Sequence, residues 1–154
     1  MSTQARPIDV ANAAVTLLNS AAAQATFGSF APFTAVRDYV PLYDLEQHVS
    51  GLIVTVIPAA LNESPMARLT IGGQVGIDVG VQNYVQTLAD KDGLMLLVEE
   101  IKTVLEKGLT LPEFPLDCGW VETENDPIYD PDHLKIYGVF TSVPRFTYQV
   151  RRPR

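Results

Sequence analysis

Cysteine is almost missing from this chain: one residue, Cys118, stands among 154, so no disulfide can close within it and stability has to come from packing. Positive charge is also scarce, with 11 Lys and Arg against 18 Asp and Glu and a net charge of −7. That balance excludes a chain that wraps nucleic acid through its overall field, because neutralising phosphates needs clustered positive charge. No apolar run approaches the ~20 residues that span a bilayer, so no membrane partner is expected. Met1–Arg6 lacks the charged-then-apolar pattern of a secretory leader, and the expectation is a protein that stays in the cytosol or leaves it inside an assembly. Catalytic signatures are missing as well: there is no Gly-x-Ser-x-Gly, no Cys-x-x-Cys and no His-Glu-x-x-His. The Gly72-Gly73 pair leads into a strand pattern, so no helix N-terminus is there to receive a phosphate. Only His48 and His133 could serve Cys118 as a base. Nothing places either beside it, and the thiol reads as a small buried residue.

What is present is enough for one domain. A chain of this length hides roughly 70% of its unfolded surface on folding, and its 47% hydrophobic and 19% charged residues argue against disorder. Pro7 suits a first helical turn, and Ile8, Ala11, Val15, Leu18 and Ala22 recur at helical spacing over residues 7–24, with Gly28 and Pro32 as stops. Phe33 to Val40 reads as a strand closed by Pro41. After a polar stretch, Asp44 to Ser50, Gly51 to Ile57 is a β-branched run expected to be covered on both faces. Pro58 ends it.

Residues 59–73 then read as a long loop, carrying Asn62, Glu63, Pro65, Arg68 and the glycine pair. A loop of that length is expected to contact a partner or to move. Val75, Ile77, Val79 and Val81 alternate with Gly76, Asp78 and Gly80, the clearest strand in the chain. Gly76 and Gly80 on its polar face would admit the backbone of another chain. A second helix follows, capped by Asp90 or Asp92, striped by Leu94, Leu97, Val98, Ile101, Val104 and Leu105, and stopped by Gly108. After a proline-rich turn at 111–115, Trp120 to Thr123 is a short strand. Tyr137 to Arg151 is a long one, in which Pro144 implies an edge or a bulge. This order predicts an α+β fold: a single domain with a mixed, mostly antiparallel sheet of about four to five strands, flanked by two main helices.

One cluster has metal-ligand residue types: Asp126, Asp130, Asp132 and His133. Carboxylates so spaced can converge on a divalent cation. The simpler reading is a pair of Asp-Pro turns, with Asp130 capping a helical turn that Pro131 begins. His48, among Asp44, Glu46 and Gln47, reads as solvated. No cofactor, metal or catalytic residue is therefore expected. Arg151, Arg152 and Arg154 form a basic tail on an acidic body, either solvated or paired with the acidic face of a neighbouring copy.

Several segments together resemble the tail terminators and head–tail joining (tail-completion) proteins of tailed phages. They are Leu52 to Pro58, Ile77 to Gln82, the helix Leu94–Leu105, Asp126 to Pro131, Phe140-Thr141-Ser142 and Thr147 to Val150. The resemblance spans residues 50–150 in order, and no single motif carries an invariant chemical group. It implies a virion structural protein without catalytic residues, assembled in the host cytoplasm. Such a protein forms a homo-oligomeric, hexameric ring at the head-proximal end of the tail, meets the tail tube protein and the head connector or stopper, and lets DNA pass through its lumen without sequence-specific binding. Another neck or tail subunit, or a metal-dependent enzyme at Asp126–His133, stands as the alternative. The subunit-contact candidates are Asn62, Glu63, Arg68, Gly76, Asp78, Gly80, Arg151 and Arg152.

Overall fold

The structure, a computed structural model, describes residues 5–24, 27, 33–39, 51–111 and 117–153. The expected features at Gly28, Pro32, Val40, Pro41, Asp44 to Ser50 with His48, 112–116 and Arg154 lie outside them.

Helix α1 spans Arg6–Ala23 with Pro7 in its first turn, and buries Val10, Ala11, Ala14, Leu18, Ala21 and Ala22. A face built mostly of alanine lets it approach the sheet closely. Helix α2, Leu88–Leu105, begins earlier than Asp90. Its N-cap is Thr87, whose hydroxyl accepts from Asp90 N–H while the Asp90 carboxylate accepts from Thr87 N–H, a reciprocal capping box. These backbone bonds, from Gln86 and Thr87, hold the Asp90 carboxyl below its ordinary range. Asp90 thus sits at the third helical position and not at the cap. Beyond α2, Gly108 has φ +93°, and a Cβ there would meet Cys118 O at 3.2 Å. The turn therefore needs glycine.

The sheet has more strands than the expected four to five. It has seven among the described residues: β1 (Ala35–Arg37), β2 (Ile53–Ala67), β3 (Thr70–Tyr84), β4 (Leu109–Thr110), β5 (Asp117–Glu124), β6 (Val139–Ser142) and β7 (Arg145–Pro153). Their lateral order is β1-β2-β3-β7-β5-β4, with β6 beside the far end of β3. Only β1–β2 is parallel. The two extra strands have simple causes. β4 is two residues long, too short for any periodicity. The long C-terminal strand divides at Val143-Pro144, because Val79 N–H donates to Pro144 O (3.0 Å) and proline has no N–H to return. The register on β3 does not slip across this break, since Val81 faces Ser142 on one side of it and Asp78 faces Arg145 on the other. Pro144 therefore sits at an interruption beside the central strand, neither on an edge nor in a bulge.

The long loop expected at 59–73 is also corrected. Residues 59–67 continue β2 and 70–73 open β3, joined by a turn at Arg68-Leu69. Turn-forming residues here extend a ladder because the ladder spares their weaknesses. By strand alternation from Val79, whose amide points to Pro144, the odd-numbered β3 residues Ile77 and Ile71 turn their amides away from β2. Their partners Pro58 and Pro65 turn outward likewise, so neither proline costs a ladder bond.

Val75, Ile77, Val79 and Val81 of β3, with Val54 and Val56 of β2 and Phe146, Tyr148 and Val150 of β7, meet the apolar faces of α1 and α2 in one cluster. The Tyr148 hydroxyl is buried and donates to Leu105 O at 2.7 Å, joining Gly108 N–H (3.3 Å) as the second and shorter donor to that carbonyl at the end of α2. Burial pushes the Tyr148 phenol far above its ordinary 10, and the Cys118 thiol from 9 up to about 12.

Tyr148→Phe should cost about 0.5–1.5 kcal/mol in urea denaturation, because the Leu105 carbonyl loses the shorter of its two donors and keeps Gly108 N–H. The phenol is harder to ionise folded than unfolded, so the stability it contributes is full below pH ~10 and falls as pH rises further. The Phe variant should lose less stability than wild type over that alkaline window.

Candidate functional site

Beyond the core residues Val75, Tyr148 and Val150, residues 61–67 of β2, 70–74 of β3 and 151–153 of β7 form a three-stranded arm that runs out from the helix-covered part of the sheet. On the face away from the helices, cross-strand registry sets Asn62, Gln74 and Gln149 side by side, with Ser64, Gly72 and Arg151 in the next row. Asn62, Gln74, Arg68 and Arg151 are exposed, and Glu63 is half-buried. Arg152 lies opposite Ile71. Five of the expected contact residues, Asn62, Glu63, Arg68, Arg151 and Arg152, are therefore gathered on this one arm.

The other three lie deeper. Asp78 holds Arg145 through two bonds, Nε to Oδ1 at 2.7 Å and Nη2 to Oδ2 at 3.1 Å. Gly76 is buried, and a Cβ there would stand 3.3 Å from Ala60 Cβ and 3.7 Å from Arg145 Cδ, so the chain's own side chains occupy the space beside it. Gly80 is buried opposite Thr55. With β2 on one side of β3 and β6 and β7 on the other, neither glycine offers open backbone.

Several exposed apolar residues were not among the expected contacts. Leu61, Met66 and Leu69 stand on the arm, Leu69 at 73% exposure, while Trp120 and Val121 are both 40% exposed on β5. Trp120 and Val121 carried a signal: adjacent apolar residues in a strand point to opposite faces, so one of them had to face away from the core. In fact β5 bulges there, two residues answering one on β7 between Trp120 and Glu122. Trp120 Nε1 donates to Thr123 Oγ1, which donates in turn to Glu106.

The acidic turn resolves into backbone chemistry. Asp130 Oδ1 accepts from the amides of Asp132 (3.0 Å) and His133 (3.2 Å), capping a helical run that starts at Pro131 and continues as a π-helical turn, His133–Tyr137. Both nitrogens of His133 are engaged, Nε2 with Asp130 Oδ2 (3.3 Å) and Nδ1 with Thr141 Oγ1 (2.9 Å). Gln82 Nε2 donates to the same Thr141 hydroxyl, and Asp130 N–H donates to Thr141 O. The turn is thus stitched along the outer side of β6. Among the described residues no group of three or more His, Cys, Asp or Glu is placed to hold a metal ion. Cys118 is buried, with its thiol pushed up to about 12 by that burial, a protonated and poorly nucleophilic group. No described helix is long and apolar enough to cross a membrane.

No protein-family model matches the chain, and no curated protein matches its sequence. A solved structure does match in fold: a chain from a "virion of native gene transfer agent (GTA) particle", with TM-score 0.61 and 14% identity, over 93% of this chain and 95% of that one.

Asp130→Ala should lower stability by about 0.5–2 kcal/mol, and Asp130→Asn or Asp130→Ser should recover most of it, as a cap requires. Calorimetry with calcium, magnesium and zinc should show no heat of binding at one ion per chain. A heat that vanishes in Asp130→Asn would revive the metal reading.

Proposed function

We propose that this chain is a non-catalytic structural subunit of a tailed-phage-like particle, a tail terminator or head–tail joining protein that forms a hexameric ring at the head-proximal end of the tail. The observation that carries this is the correspondence of fold with a chain of a gene transfer agent virion, over 93% of this chain and 95% of that one. The resemblance of residues 50–150 to tail terminators supports the finer position.

The chemistry of the surface fits that role. A polar arm bearing Asn62, Glu63, Arg68, Arg151 and Arg152 is suited to contacts between subunits, with the tail tube protein and the head connector or stopper as further partners. A ring built from subunits of net charge −7 would repel duplex DNA passing through its lumen instead of retaining it. In this reading the protein assembles in the host cytoplasm and ends in the virion.

Native mass spectrometry at high protein concentration, or on added tail tubes, should give a closed oligomer of six copies, and electron microscopy a ring. A reconstructed particle without a ring of this chain would overturn the proposal.

A further inference from the structure

We infer that successive copies of this chain meet head to tail, the arm tip of one copy seated on the β5 edge of the next. The inference rests on the ring-forming subunit proposed above and names its contact. Among the described residues, both lateral edges of the sheet are only partly covered by its own strands. β1 pairs with Val54, Thr55 and Val56 of β2, and β4 pairs with Asp117 and Cys118 of β5. The rest of β2 beyond Pro58, and β5 from Gly119 to Glu124, have a strand on one side only.

The two edges complement each other in charge. At the arm tip Arg68 is exposed in the β2–β3 turn and Arg151 on the same tip two strands in, on β7 opposite Gly72, while Glu63 is half-buried and already has an interaction within the chain. On β5 Glu122 and Glu124 are exposed. Glu124 stands opposite Arg145 and acts on it, which leaves Glu122 for a partner. Both edges also expose apolar surface, Leu61, Met66 and Leu69 on one and Trp120 and Val121 on the other. Apolar patches bearing opposite charge are suited to each other more than to copies of themselves.

Strand direction agrees. β2 and β7 run one way, β3 and β5 the other, so a neighbour in the same orientation brings its β2 antiparallel to β5. Because the edges lie at opposite ends of one sheet, the contact is heterologous and propagates around a ring, whereas a two-fold dimer would need one patch facing itself. Pro58 and Pro65 turn their missing donors toward the open edge, which blunts it against a continuous ladder. Side chains at the tip, not shared backbone bonds, make the contact.

Charge reversal on the full-length chain tests this. Arg68→Glu with Arg151→Glu in one variant, and Glu122→Arg in another, should each leave the thermal midpoint near wild type and weaken ring formation at least ten-fold by sedimentation velocity. An equimolar mixture of the two should assemble again, since each arm then finds an edge of opposite charge in alternating copies. Wild-type rings with both variants unimpaired, or with no rescue on mixing, would overturn the contact and leave the ring standing. A wild type that forms no ring, alone or on tail tubes, would overturn both.

Discussion

Everything in this fold leans on β3 being paired on both sides while alternating strictly along its length. Its odd-numbered residues from Val75 to Val81 are fully buried against the helices. Its even-numbered positions hold Gln74, Gly76, Asp78, Gly80 and Gln82 on the other face. A one-residue slip against either neighbour would carry the valines and isoleucine out of the core and carboxamides and Asp78 into it. That penalty sets the register of β2, β6 and β7 together, and it explains why β6 and β7 stay in one register across a proline.

The stability of the chain is unevenly distributed as a result. Near the helices, β3 is backed by α1 and α2, and the Tyr148–Leu105 bond ties the central sheet to the end of α2. Toward the arm tip, backing gives way to exposed residues on β2 from Ala59 to Ala67, all exposed except half-buried Glu63. A region held chiefly by a ladder with few buried apolar contacts opens at lower cost than the core. For the subunit contact proposed above this is an advantage, because a thinly backed arm can adjust to its neighbour at low cost.

How much was legible in the sequence follows from the same division. The α2 stripe from Leu94 to Leu105 and the β3 alternation were both readable, because burial on one face leaves a period in the residues. The cap at Asp130 was readable because Asp-Pro is local chemistry. The arm was not: Asn62, Ser64, Pro65, Gly72 and Gly73 are residues that favour turns, and their strand conformation depends on pairing with residues as distant in sequence as Arg151 is from Gly72. Asp90 and Asp92 are the more conspicuous cap candidates in the sequence, yet the reciprocal bond needs only a hydroxyl and a carboxylate three residues apart, and Thr87 with Asp90 supplies both. Of the candidate contacts, Asn62, Glu63, Arg68, Arg151 and Arg152 were named individually, but their convergence is a property of the β3–β7 pairing. The β5 edge left only the awkward Trp120-Val121 neighbours as a trace.

The tight turn at Arg68-Leu69 makes the arm behave as a graduated rule. Each added residue per strand lengthens it by ~3.3 Å and turns every side chain beyond the insertion to the opposite face. Only additions of two per strand, steps of ~7 Å, keep Arg68 and its neighbours presented as they are. The reach of this arm is therefore open to change in coarse increments and closed to fine ones, so in the proposed ring a change of bore would come from the angle between copies while the arm keeps its length.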